Sequence, residues 1–274
     1  MNSKIVLITG ATSGIGKETT RGLAQLGATI IIAARDKTKA KQTKSELIKS
    51  TNNKNIDFIP CDLASFKSIR KCAQEFKTRY NRLDVLINNA GIWDFRRRET
   101  ADGIENIFQT NYLAPFLLTN LLLDTLKASA PSRIINVVSG LQSGTIHFDD
   151  LEFKNKFSGM KAYSHSKLAL ILFTRLLAKK LEGTGVTVNC VQPGMTRTEL
   201  GRDAPGFQRV FFKLFGKDPK KGAETSIYLA SSKDVENITG EYFEKKKIQR
   251  SSEESYDMDV AERLWDVSVK YVQL

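Results

Sequence analysis

Blocks of apolar residues alternate along this chain with blocks at helical spacing. Lys4-Ile5-Val6-Leu7-Ile8 is an apolar, β-branched run short enough for a buried strand, and Thr9-Gly10-Ala11-Thr12-Ser13-Gly14-Ile15-Gly16 follows as a small-residue turn. Lys17 to Gly27 has helical spacing, with Leu23, Ala24 and Leu26 on one side, and Ala28 to Ala34 reads as a second buried strand. Further strands are predicted at 56–59, 85–87, 133–138 and 186–191. Helices are predicted near 17–26, 37–50, 65–80, 102–128, 161–183 and 219–232. Met258 to Val272 carries helical apolar spacing at Val260, Leu264, Val267 and Tyr271, which predicts a tail packed on its own domain. Lys245 to Ser255 before it reads as a polar loop.

Repeated strand–helix alternation predicts an α/β fold: a Rossmann-type, doubly wound parallel sheet with helices on both faces. With no repeat, linker or low-complexity segment, one domain is expected over 1–274. Ligands of such sheets bind beyond the carboxyl ends of the strands. The polar residues there are Thr9 to Gly16, Asp62, Asn88 to Gly91, Ser139, and Pro193 to Thr198.

The first strand–turn–helix–strand unit places an anion at a helix N-terminus, where free N–H groups and the helix dipole favour it. Its glycines let backbone approach a pyrophosphate. Five residues separate Gly10 from Gly16, and Glu18 follows Lys17, so the ATP-binding pattern G-x-x-x-x-G-K-[ST] is absent. Ala34 stands where an acid holding the ribose 2′-OH of NAD(H) is expected, while Arg35 follows it and Lys17 opens the helix. Two cations suit a 2′-phosphate, so the sequence favours NADP(H). Asp36, one position on, keeps NAD(H) as the alternative.

The net charge is 42 − 30 = +12, with Arg96-Arg97-Arg98 and Lys245-Lys246-Lys247 as the tight clusters. Such a balance attracts nucleotides or anionic surfaces. No nucleic-acid module accompanies it, so no nucleic-acid partner is expected. Three cysteines (Cys61, Cys72, Cys190) without C-x-x-C spacing and two histidines (His147, His165) give no metal-ligand set and point to a reducing compartment. The first apolar run is too short for a signal peptide, and Leu113 to Leu123 is broken by Pro115 and Asn120. The chain is therefore expected to be intracellular, soluble and cytoplasmic, without a transmembrane anchor.

Tyr163 and Lys167 lie four apart on one helical face, downstream of Ser139 at a strand end. Tyrosine titrates near ~10, and an adjacent ammonium favours its phenolate. Such a phenol can exchange a proton with an alcohol or carbonyl. A serine hydroxyl at the same oxygen would polarise and orient it. Tyr-x-x-x-Lys alone is a weak signal; sharing a chain with the dinucleotide turn strengthens it.

In order, Thr9-Gly10-x-x-x-Gly14-Ile15-Gly16, Asp62-Leu63, Asn88-Asn89-Ala90-Gly91, Asn111, Ser139, Tyr163-x-x-x-Lys167 and Pro193-Gly194-x-x-x-Thr198 resemble the short-chain dehydrogenase/reductase family from Lys4 to about Phe243. The resemblance implies that Gly10, Ser13, Gly14 and Ile15, with Gly16 behind them, line the pyrophosphate. Lys17 and Arg35 would face the 2′-phosphate. Asp62 and Leu63 would hold the adenine, and Asn88, Ala90 and Gly91 would flank its ribose. Asn111 would order its own helix and a water for proton relay. Ser139 would bind the substrate oxygen, and Tyr163 would be general acid in reduction and base in oxidation. Lys167 would grip the nicotinamide ribose and lower the Tyr163 pKa. Thr196 and Thr198, following Pro193 and Gly194, would fix the carboxamide. The cofactor supplies the redox chemistry. A non-enzymatic NADP-binding regulatory protein on the same fold is the alternative.

Gly14-Ile15-Gly16-Lys17-Glu18-Thr19, Ala34-Arg35-Asp36, Ala130-Pro131-Ser132-Arg133-Ile134, His165-Ser166-Lys167-Leu168-Ala169 and Arg263-Leu264-Trp265-Asp266-Val267-Ser268 resemble the retinol dehydrogenase-like branch. That implies NADP(H) and an apolar carbonyl or alcohol substrate, such as a retinoid or lipid aldehyde. Branch members often begin with an apolar anchor, which is not found here, and Val138 replaces the first of two serines common at that strand end. A substrate lid is expected over about 199–218. Its Phe207, Phe211, Phe212 and Phe215, interleaved with Arg209 and Lys213, suit an apolar pocket wall or peripheral membrane contact. Trp93 and Phe95 are candidates for the opposite rim. Leu168 to Leu177 is apolar nearly all round. The resemblance places that helix at a subunit interface, which implies a homo-oligomer. The tail is expected to be helical over about 257–274.

Overall fold

The structure is a computed structural model that describes residues 1–142, 144–194 and 218–274. Among the described residues, seven parallel strands form the sheet: β1 (Ile5–Thr9), β2 (Thr29–Ala34), β3 (Ile56–Pro60), β4 (Val85–Asn88), β5 (Ser132–Val137), β6 (Val186–Gln192) and β7 (Tyr242–Glu244). A two-residue strand, β8 (Lys247–Ile248), returns antiparallel on β7. The order is β3-β2-β1-β4-β5-β6-β7-β8, so the direction of winding reverses between β1 and β4, where doubly wound sheets open their ligand crevice. β7, with buried Tyr242 and Phe243, was not predicted, and within the expected polar loop 245–255 Lys247–Ile248 form β8 after a turn at Lys245 and Lys246, which adopt left-handed backbone.

Strand residues are apolar at successive positions because both sheet faces are covered. Val6, Ile8, Ile30 and Ile32 point to one face, where they pack with α1 (Gly14–Gln25), α2 (Lys37–Thr51) and the helix Pro219–Ser231. Leu7, Ile31 and Ala33 point to the other, where α3 (Phe66–Arg79), α5 (Ala114–Ala128) and α6 (Gly159–Lys180) lie. The stretch expected as one helix over 102–128 is in fact three pieces. A single turn, α4 (Asn106–Phe108), leads through a π-helical turn, Gln109–Leu113, into α5, whose first turn holds Pro115. In chain order the helix Pro219–Ser231 is α7, and the tail Met258–Val272 is α8.

α8 begins at Asp257, whose carboxylate accepts the Val260 N–H at 3.0 Å. Ala261, Leu264, Ser268 and Val272 form its buried stripe against α6 and the π-helical turn. Trp265 meets Phe116 edge-on at 4.9 Å and stacks beside Phe173 at 5.9 Å. Tyr112 and Ser268 share a buried hydrogen bond of 2.7 Å, and Arg70 donates to the last carbonyls, Val272 and Gln273. Leu168 to Leu177 of α6 is buried apart from half-buried Arg175, and the tail packs on this helix, as its apolar spacing predicts. Leu264→Ala is accordingly expected to destabilise the fold by about 2–5 kcal/mol, as a large-to-small change in a packed core does. Urea unfolding of the two proteins measures the difference.

Candidate active site

The glycine turn between β1 and α1 is bolted to the end of β4. Thr9 Oγ1 accepts the Asn89 and Ala90 N–H groups, each at 3.0 Å. In return the Asn89 amide donates to the Thr9 and Gly10 carbonyls at 2.9 and 3.2 Å. Gly10 and Gly14 have φ of +66° and +53°, a region that favours glycine. At Gly16 a Cβ would collide with the Gly10 carbonyl and the Asn89 amide. Ser13 stands at the N-cap of α1 in extended backbone, and its side chain makes no capping bond. The first N–H groups of a twelve-residue helix therefore stay open at the crevice. Beside them Gly14 is half-buried and Ile15 is packed inward. This cradle fits a pyrophosphate.

The expected 2′-phosphate cations differ in state. Lys17 donates to Glu46 at 2.7 Å, and Glu46 also binds Arg21. The Lys17 ammonium beside it holds the Glu46 carboxyl below its ordinary range. Arg35 is exposed at the end of β2 and, among the described residues, makes no ion pair. Asp36 is used otherwise: it is the N-cap of α2, accepting the Lys39 N–H at 3.0 Å. Asp62 accepts the Ala64 N–H at 3.1 Å in the turn after β3, with Leu63 half-buried next to it.

Asn88 does not present its side chain to the turn. It is buried, donating to Thr119 Oγ1 at 3.0 Å and Asn136 Oδ1 at 2.8 Å, while Asn136 donates to Thr174 Oγ1 at 2.9 Å. Successive side chains leave a strand on opposite faces, so Asn88 and Asn89 cannot both face the crevice. Any contact of Asn88 with a ribose would therefore come from its backbone; Ala90 and Gly91 are half-buried beside the turn. The adjacent Asn-Asn pair was the signal that could have singled out Asn89.

Tyr163 and Lys167 are both buried on α6, beside the carboxyl end of β5. Lys167 Nζ donates to the Val137 carbonyl at 3.0 Å and lies 5.6 Å from the centre of the Tyr163 ring. Ser139, just past β5, is half-buried and accepts the Leu141 N–H at 3.1 Å. Burial pushes the Tyr163 phenol up to about 12, and the Ser139 hydroxyl nearby opposes that rise. Burial also pushes the Lys167 ammonium down to about 8. The expected lowering of Tyr163 by Lys167 is therefore not a property of the free chain: desolvation outweighs a charge placed over the ring and bonded to a carbonyl.

Asn111 sits in the π-helical turn. Its amide accepts the Ile92 N–H at 2.8 Å and donates to the Ile92 carbonyl at 2.9 Å and to Ser166 Oγ at 3.1 Å. Ser166 Oγ in turn donates to the Tyr163 carbonyl at 2.7 Å. Asn111 thus ties the loop after β4 to the helix that carries Tyr163. His165 is buried, and its Nε2 accepts the His147 N–H at 3.2 Å, which pins the segment after β5 onto α6. Burial lowers the His165 imidazole to about 3, so it stays neutral. Glu105 caps α4, accepting the Ile107 and Phe108 N–H groups, and burial raises its carboxyl to about 7. Gly194, after Pro193, has φ +78°. Thr196, Thr198 and all of the expected lid but Asp218 lie outside the described residues. Among the described residues no cluster of histidine, cysteine or acidic side chains could hold a metal, and no helix is long and apolar enough to cross a membrane.

A family model described as short chain dehydrogenase matches residues 4–207. The chain is 45% identical to retinol dehydrogenase 14 of Homo sapiens, over 100% of this chain and 88% of that protein. It is 44% identical to retinol dehydrogenase 13 of Mus musculus, over 99% and 84%. Among solved structures, an uncharacterised protein from Mycobacterium paratuberculosis aligns with a TM-score of 0.82 at 30% identity, covering 99% of this chain and 94% of that one. The Pseudomonas aeruginosa RhlG/NADP complex aligns with a TM-score of 0.72 at 29% identity, covering 89% and 94%. Cradle, Ser139, Tyr163 and Lys167 agree with this kinship, and the chain belongs to the short-chain dehydrogenase/reductase family, in its retinol dehydrogenase-like branch, as a hydride-transferring oxidoreductase.

Proposed function

We propose that this protein interconverts an apolar carbonyl compound and its alcohol with NADP(H) as the redox partner. The observation that carries the reading is the meeting of Ser139, Tyr163 and Lys167 in a dry site at the same sheet edge as the open start of α1. The α1 N–H groups from Gly14 onward would bind the pyrophosphate, with Asp62 and Leu63 near the adenine and Ala90 and Gly91 near its ribose. Arg35, without an ion pair among the described residues at the end of β2, would bind the 2′-phosphate, joined by Lys17 once its bond to Glu46 is exchanged. Asp36, spent on capping α2, leaves no acid there for a 2′-OH, which supports NADP(H) over NAD(H). Pro193 and Gly194 with Thr196 and Thr198 would hold the carboxamide end.

A nicotinamide bound in this cradle would supply or accept the hydride. The chain's own residues handle the oxygen. Ser139 Oγ orients the carbonyl oxygen by hydrogen bonding. Tyr163 Oη gives up its proton as the alcohol O–H forms, and recovers it in the reverse direction. Lys167, positive below about pH 8, stabilises the phenolate left behind. Apolar side chains border this site. Leu141 and Met160 are 43% and 56% exposed at either side of it, and Trp93 and Phe157 pack against the apolar cluster that contains Tyr163. Exposed apolar groups around a polar centre suit a hydrophobic substrate.

Turnover of retinal and of a medium-chain aldehyde, each with NADPH and with NADH, tests the reading. NADPH-dependent loss of absorbance is expected, and preference for NADH would refute the cofactor assignment. Tyr163→Phe removes the transferable proton, so kcat should fall by at least about 100-fold while NADPH binding, followed by its fluorescence, is retained. Arg35→Ala should weaken NADPH binding about fivefold, as loss of an exposed ion pair does, and leave NADH binding unchanged.

A further inference from the structure

Trp93 lies flat against the general acid. Its ring centre is 5.0 Å from that of Tyr163, with the planes 14° from parallel, and Phe95 stacks on the same indole at 5.8 Å and 13°. The residues on either side of Trp93 are held in place. Ile92 is gripped at both its N–H and its carbonyl by Asn111, and Asp94 Oδ2 accepts from the Asn106 amide at 2.7 Å. The Asp94 carbonyl presses on Gly159, where a Cβ would collide with it and crowd the indole nitrogen at 3.2 Å. Gly159 begins α6, one turn before Tyr163, so the loop is seated on the helix that carries the phenol. Trp93, Tyr163, Ile107, Phe153 and Ala162 form an apolar cluster separate from the two main core layers.

We infer that Trp93 is a positioning residue for Tyr163: its indole fixes the phenol ring in place and shields it from water before substrate arrives. The inference rests on the proposed role of Tyr163 as general acid and base. Near-parallel aromatic rings attract, and a ring walled by apolar groups loses the water that would solvate its phenolate. Among the described residues, Lys167 is the charged group over the Tyr163 ring. The nearby ionisable groups are engaged elsewhere: Asp94 with Asn106, and neutral His165 with the His147 N–H. Shielding keeps the resting phenol protonated, the form that can donate to a carbonyl oxygen. A substrate then meets a preset acid rather than a solvated, rotating one.

The titration of Tyr163 in the full chain tests this, read as the alkaline tyrosinate absorbance of the protein minus that of its Tyr163→Phe variant. Trp93→Ala admits water and should move that midpoint down by about one pH unit, and Trp93→Phe, which keeps a ring face, should restore it. Carbonyl reduction needs the protonated phenol, so activity is lost as pH rises through its pKa. In Trp93→Ala the alkaline limb of kcat should shift to lower pH, and kcat should fall about tenfold with KM for NADPH unchanged. If Trp93→Ala does not fold, Trp93→Leu serves, because it keeps an apolar side chain without a ring face. A Tyr163 midpoint in Trp93→Ala, or in Trp93→Leu where the alanine variant does not fold, equal to that of the unaltered protein overturns the inference, whatever happens to thermal stability. The absorbance titration needs no substrate, so a protein inactive on every carbonyl offered refutes the proposed reaction and leaves this test standing.

Discussion

The close approach of the β1–α1 turn to the end of β4 is the contact on which the rest of this molecule depends. It holds because Thr9 spends its hydroxyl on two N–H groups of the next strand's loop, and because Asn89 returns two bonds to the turn. It also holds because Gly16 carries no Cβ where the Gly10 carbonyl and Asn89 crowd it. These bonds bridge the point where the sheet changes winding direction. They set the open N–H groups of α1 and the loop leading to Trp93 at one edge. A side chain at Gly16 would separate cofactor cradle from catalytic wall.

Behind that seam, a second polar layer runs through the core. Asn88, Asn136, Thr119 and Thr174 join β4, β5, α5 and α6 by buried amide and hydroxyl bonds. Buried polar groups of this kind are costly unless paired, and when paired they specify one arrangement. Here they fix α6 against β5, and so place Tyr163 and Lys167 at the carboxyl end of the sheet. The same burial sets the electrostatics of the free chain: it raises the phenol, which stays protonated, and lowers the ammonium, which remains charged below about pH 8. A proton-holding phenol beside a buried ammonium keeps the proton at the site until substrate oxygen is in reach.

The tail shows how one surface can be satisfied within a chain. The middle of α6, Leu168 to Leu177, is apolar nearly all round, which demands cover on the side away from the sheet. α8 supplies it, through Leu264, Trp265 and the Tyr112–Ser268 bond, and Arg70 closes its end. Sequence reading foresaw both a buried helix and an amphipathic tail, but periodicity does not say which apolar face meets which.

Much of the fold was legible because each strand and helix carries its own period, and because the short runs 5–8 and 30–34 are apolar on both faces, as a covered parallel strand needs. The family's catalytic and glycine motifs were legible because chemistry constrains residue type at fixed spacing. What escaped reading were relations between distant segments. β7 and β8 are too short to show a period. The π-helical turn around Asn111 carries a clamp on Ile92, 19 residues away, that no local period announces. Asn88 and Asn89 look equivalent in sequence, and strand alternation alone sends one into the core and the other to the turn. The ionisation of Tyr163 follows from what surrounds it rather than from Lys167 four residues on. The chain by itself determined which groups are present and which local shapes they prefer; the tertiary structure decided which of them lose their water, and burial is a property of the assembled layers.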